Sequence, residues 1–117
     1  MDLLKNKLYI FWKIGKIVFE KQEKCSNAFE KYANYYSYYF GNSYIFTREN
    51  LKYMEKFYLS FPIFYKQLKN ISWEQYKLLL NIDYFEERFF YFRIILLFNS
   101  DYTSTKELLK NNYYYRI

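Results

Sequence analysis

The chain predicts an all-α domain, a compact multi-helix arrangement with a helix-turn-helix or winged-helix-like core. Three observations carry that prediction. Apolar residues recur three and four positions apart through most of the 117 residues. Capping-box patterns stand before three successive apolar runs, at Ser72 with Gln75, Asp83 with Glu86, and Ser104 with Glu107. No hairpin signal, internal repeat or low-complexity linker interrupts the pattern.

The first helix is predicted from about Leu3 to Glu23, with Leu4, Leu8, Phe11 and Val18 along one side. Gly15 falls on that same side, where a missing side chain lets another helix come close. The second helix runs from about Asn27 to Phe40 and places Phe29, Tyr32, Ala33, Tyr36, Tyr39 and Phe40 at helical spacing. Gly41, Asn42 and Ser43 end it and supply a turn. Thr47 then caps a third helix reaching Leu59, with Leu51, Met54 and Phe57 or Tyr58 inward and Pro62 as the stop. A short segment without assigned structure leads to Ser72, whose helix buries Trp73, Tyr76 and Leu80. Asp83 opens a longer helix through about Phe98, with Phe85, Phe89, Phe92 and Leu96 inward. Ser104 opens the last one, and Tyr113–Tyr115 reads as a fraying end rather than an aromatic platform.

Hydrophobic residues make up 52% of the chain, enough for one domain with its own core. The 17 Tyr and 13 Phe admit two explanations. Exposed rings beside Lys stack nucleobases or fill a partner's groove. AT-rich codons give the same excess, and the even spread of rings along the chain favours that origin.

The net charge of +6 favours an anionic partner. Its distribution is uneven. Residues 45–69 hold Arg48, Lys52, Lys56, Lys66 and Lys69 against Glu49 and Glu55, and residues 1–24 also carry more Lys than acid. Residues 70–99 reverse the balance, with Lys77, Arg88 and Arg93 against Glu74, Asp83, Glu86 and Glu87. A half that faces nucleic acid has the first kind of balance.

Several chemistries find no support. There is no His, so the commonest general base and metal ligand is missing. Cys25 is alone, which rules out a disulfide framework or a thiolate metal site within one chain and suits a free thiol in a reducing cytoplasm. No Lys has Asp or Glu two positions before it, as a PD-(D/E)XK nuclease requires. The Gln-x-Lys triplets ending at Lys24, Lys69 and Lys77 lie on no strand-like run. Asp83, Glu86 and Glu87 read as acids suited to a helix start. There is no phosphate-cradling Gly loop. The expectation is therefore a non-catalytic protein without metal, cofactor or small-molecule substrate. Lys5, Lys7, Lys13 and Lys16 interrupt any leader, and apolar runs such as Leu8–Trp12 and Ile94–Phe98 are too short to span a bilayer. A cytoplasmic location and no membrane partner follow as expectations.

The most informative stretch is the third helix. Arg48, Lys52 and Lys56 recur every fourth residue and form one basic stripe, diluted by Glu49 and Glu55. The same stretch carries a resemblance. Leu8-Tyr9, Trp12, Ile14-Gly15-Lys16 and Glu20-Lys21-Gln22 come first. Phe40-Gly41, Phe46-Thr47, Asn50-Leu51, Met54, Phe57-Tyr58 and Phe61-Pro62 follow. Then come Ile71-Ser72-Trp73 with Tyr76, Leu79-Leu80 and Ile82, next Glu87-Arg88 with Phe90-Tyr91, and last Tyr102-Thr103 with Glu107-Leu108. In this order, from Leu8 to Arg116, they resemble the N-terminal helical domain of the YhcG-type bacterial proteins, whose full-length members end in a PD-(D/E)XK nuclease domain. The chain departs from the family in having Tyr102 for a usual Trp, no His beside Tyr76, and an extra residue between Thr103 and Glu107.

The resemblance implies a single helical domain over 1–117 without the nuclease domain, acting as a winged-helix-like DNA-binding element. On that reading the second helix, the Gly41 turn and the third helix form a helix-turn-helix-like unit for double-stranded DNA. Arg48, Lys52 and Lys56 meet phosphates, Asn50 or Tyr53 reaches base edges, and Lys13 or Lys16 adds backbone contacts. The alternative is a protein–protein module, a homodimer or a subunit that joins a separate nuclease, or a truncated remnant of such a gene. A basic amphipathic helix at a membrane surface also fits the charge.

Overall fold

The computed structural model describes residues 6–22 and 27–116. Those residues form six α-helices and two short 3-10 helices, with no strand among them. The all-α prediction holds. The wing of a winged helix is not found there. After the third helix the chain passes Pro62 and enters a 3-10 turn over Lys66–Asn70 that buries Leu68, which leaves no extended pair to form a hairpin.

The chain divides into two compact units, Met1–Phe64 and Tyr65–Ile117. In the first, α1 (Lys7–Gln22), α2 (Ala28–Phe40) and α3 (Arg48–Ser60) surround a core of Phe11, Val18, Phe46, Leu51, Met54 and Phe57. Trp12 and Ile14 join it, and Leu8 stays half-buried. Leu4, Glu23 and Cys25, assigned above to the first helix and to a free thiol, lie outside the described residues.

Gly15 sets the spacing of α1 and α3. A Cβ there would overlap the Met54 carbonyl oxygen and lie 2.5 Å from its carbon and 3.0 Å from the Glu55 nitrogen. Only hydrogen fits. Trp12 secures the same pair of helices, donating from Nε1 to the Phe61 carbonyl at 2.7 Å. Gly41 ends α2 in the left-handed region at φ 66°, with the Asn42 amide bonded back to the Ser37 carbonyl at 3.0 Å.

The second unit holds α4 (Trp73–Leu80), α5 (Phe85–Phe98) and α6 (Tyr102–Lys110). The Ser72 capping box forms as expected, and Trp73, Tyr76 and Leu80 are buried. Gln75 also works beyond its own helix. Its Nε2 donates to the Ser100 carbonyl at 2.7 Å and to Thr105 Oγ1 at 2.9 Å. Tyr76 donates its hydroxyl to the Leu68 carbonyl, and burial raises its pKa far above the usual phenol value.

Four expectations for this unit are corrected. Tyr84, not Asp83, caps α5, and no side chain bonds at that cap. Arg88 closes the turn instead, donating from Nη2 to the Ile82 carbonyl at 2.8 Å. Of the four residues expected inward on α5, only Phe92 is buried; its partners in the core are Tyr91 and Ile95, while Phe85 is half exposed. Asp101, not Ser104, caps α6, accepting from the Ser104 amide at 2.8 Å. Tyr113–Tyr115 is not a frayed end. The Tyr91 hydroxyl accepts from the Tyr114 amide at 2.9 Å, and Tyr113 stacks on Phe90.

Candidate nucleic-acid interface

Arg48, Lys52 and Lys56 are all exposed along α3. They stand roughly opposite Leu51, Met54 and Phe57, which fill the core. Thr47 fixes where this face begins, its Oγ1 accepting from the Asn50 amide at 3.1 Å. Lys52 leans to one side, with Nζ 5.7 Å from the centroid of the Phe29 ring on α2.

The connection from α2 to α3 spans residues 41–47, longer than the roughly 3–4-residue turn of the usual motif. Its polar groups are well paired. Asn42 Oδ1 accepts from the Tyr44 and Ile45 amides at 3.0 Å each, and Ser37 Oγ donates to the Phe46 carbonyl at 3.0 Å. Asn50, expected at base edges, is engaged in the same turn: its Nδ2 donates to the Ile45 carbonyl at 2.9 Å. It braces the connection. Tyr53 is half-buried on α3.

Lys13 and Lys16 lie on α1 and so do not extend the stripe along α3. Lys13 is exposed, and Lys16 is half-buried with Nζ 5.9 Å from the Trp12 ring. Glu55 interrupts the α3 face from within. Its Oε2 is buried and has no hydrogen-bond partner among the described residues, and burial pushes the carboxyl above the usual carboxylate range.

Sequence reasoning passed over the outward side of α2. Lys31 sits with Nζ 5.9 Å from the Tyr32 ring, and Tyr35, Tyr38 and Tyr39 are exposed. The signal was present in the spacing of Lys31, Tyr35 and Tyr39 at every fourth residue. Among the described residues, no cluster of three or more His, Cys, Asp or Glu is placed to hold a metal ion, and no helix is long and apolar enough to cross a membrane.

Fold and site together define an all-helical protein whose third helix shows an exposed basic face above an apolar core. The chain belongs to the family of the DUF1016 N-terminal domain, whose model matches residues 4–116. That domain is the N-terminal region of the YhcG-type proteins, which bears out the resemblance carried by the ordered landmarks. No curated protein and no solved structure matches the chain.

Proposed function

We propose that the first unit is a DNA-binding element, with α3 set along the phosphate backbone of a duplex. The observation that carries this reading is the exposure of Arg48, Lys52 and Lys56 on one side of a helix whose other side is locked into the core. Phosphate oxygens spaced along a groove suit a row of cations held at fixed intervals. Lys13 on α1 supplies a further backbone contact, and Lys16 and Tyr53 stand at the margins. Asn50 serves by holding the turn that aims α3, since its amide donates within that turn. Binding of this kind needs no catalytic group, and a sequence without His suits a targeting element in the cytoplasm better than a hydrolase.

The test is fluorescence anisotropy of a labelled duplex across a salt series, with the Arg48→Ala/Lys52→Ala/Lys56→Ala protein beside the wild type. The slope of log affinity against log salt falls by roughly 0.9 for each phosphate contact removed. Absence of binding at low salt, or binding that the triple substitution leaves alone, rejects the reading.

A second reading rests on α5. After its first turn this helix carries a single charged residue, Arg93, and Leu97 and Phe98 are mostly exposed. With Phe90, Arg93, Ile94 and Leu96, Leu97 lines a groove of about 570 Å³. A protein partner, another copy or a nuclease subunit, is the alternative occupant. Sedimentation at rising concentration separates the two, because self-association through α5 responds to Leu97→Glu and not to the α3 substitutions.

A further inference from the structure

The outer side of α2 carries an ordered row of rings that duplex binding through α3 leaves unused. Tyr35 and Tyr39 are stacked with centroids 6.2 Å apart and planes within 12°. Each is braced from behind by an edge contact, Tyr35 on Tyr36 at 5.0 Å and Tyr39 on Phe40 at 4.9 Å. Phe40 in turn stacks at 4.9 Å on Phe46, which is fully buried. The outer rings are therefore 56% and 66% exposed yet anchored through two layers to the core. An exposed ring already held in place loses little freedom when a flat ligand lies on it.

Charge decides what that ligand is. Lys31 stands at the first turn of the row with Nζ over Tyr32, and Lys52 reaches α2 over Phe29. Helical spacing puts Glu30 on the far side of α2 from Tyr35 and Tyr39. A second copy of this chain, itself at net +6, would bring cations against cations. An anionic partner with flat apolar faces matches both features. In a duplex those faces are covered by neighbouring base pairs, and in a single strand they are free.

We propose that the tyrosine row of α2 binds unpaired nucleobases of single-stranded nucleic acid, which stack on Tyr35 and Tyr39 while Lys31 and Lys52 meet the phosphates. The inference shares Lys52 with the duplex reading but does not otherwise rest on it. Stacking on a phenol ring accepts any base, so the site has little sequence preference.

The experiment measures anisotropy of a labelled oligothymidylate, an oligouridylate and a blunt duplex of equal length. It uses the wild type, Tyr35→Ala/Tyr39→Ala, Tyr35→Trp/Tyr39→Trp and Arg48→Ala/Lys56→Ala, each checked for helicity by circular dichroism. The alanine pair should weaken single-strand binding by about tenfold or more, the tryptophan pair should restore it, and duplex affinity should stay unchanged in both. Equal losses for the two oligonucleotides show recognition of the base face alone, while a loss in one arm identifies DNA or RNA as the natural strand. Single-strand binding that depends on the tyrosines in a protein that ignores duplex upholds this inference and rejects the duplex reading. Single-strand affinity unchanged in the alanine pair overturns it, as does a change in sedimentation mass with no change in oligonucleotide affinity.

Discussion

The first unit closes its core by bringing backbone against backbone, at Gly15 and Met54, whereas the second ties its helices through one buried amide, that of Gln75. In the first, shape does the joining, and few polar side chains need burial between α1 and α3. The outer faces of α2 and α3 are then open to carry Lys, Arg and Tyr without loss of packing. In the second, Gln75 spans from the Ser72 cap to Ser100 and Thr105, so polar pairing fixes how α4 meets the start of α6. The apolar surplus of that unit collects on α5, part of which faces outward. Both units keep exposed rings, but in the first they lie on α2 beside Lys31 and in the second Leu97 and Phe98 crowd the end of α5.

That contrast can be broken at its strongest point. Gly15→Ala places a methyl group against a carbonyl that has no side-chain freedom to yield, so α1 and α3 must part. The expected cost is about 3 kcal/mol or more, read as a lowered denaturation midpoint. Hydrogen exchange should show lost protection in α1 and α3 while α4 keeps its own. Wild-type stability in Gly15→Ala would mean that the helices approach less closely than described. Gln75→Met is the matching change in the second unit. It keeps the length of the side chain but leaves the Ser100 carbonyl without its donor, at a cost of about 2 kcal/mol, and exchange should rise in α4 and α6 instead. A smaller effect comes from Thr47→Ala, which removes the acceptor for the Asn50 amide and costs about 1 kcal/mol. Because that cap also aims Arg48, duplex affinity should fall with it; a stable variant with unchanged affinity would separate the cap from the interface.

The two units were not equally legible in the sequence. The first could be read because its signals are local and singular: Gly15 on an apolar face, Gly41 after a helix, Thr47 before one. Asn50 shows the limit. A polar residue in a first turn looks the same whether it faces solvent or reaches back five residues to Ile45, and only the folded turn decides. In the second unit the period itself failed. Residues 85–98 are apolar in nearly every direction, so spacing alone does not choose Tyr91, Phe92 and Ile95 over Phe85, Phe89 and Leu96. Asp101 displaced Ser104 as a cap because both fit the pattern and the earlier one lies nearer the end of α5. Tyr114 is held by the Tyr91 hydroxyl, a partner far along the chain that no window of sequence includes.

Glu55 offers the finest test of the division between packing and function, since it belongs to both. Its buried Oε2 lacks a partner among the described residues, and desolvation raises its pKa, so the folded state retains the proton to higher pH than the unfolded chain does. Between the ordinary glutamate value and the raised one, folding takes up a proton. Stability from this group is therefore present at low pH and is lost as pH rises through the raised value. Glu55→Met removes the charge and keeps the bulk. The variant should melt above the wild type at neutral pH, with the gap closing as pH falls below the ordinary glutamate range. The effect is modest because the side chain is only partly enclosed. The same change takes an anion from beside Lys52 and Lys56, so duplex binding should tighten at neutral pH and converge with the wild type in acid. A melting gap independent of pH would assign the effect to packing alone. A melting gap that closes in acid while duplex affinity stays fixed would place the DNA on another face than α3.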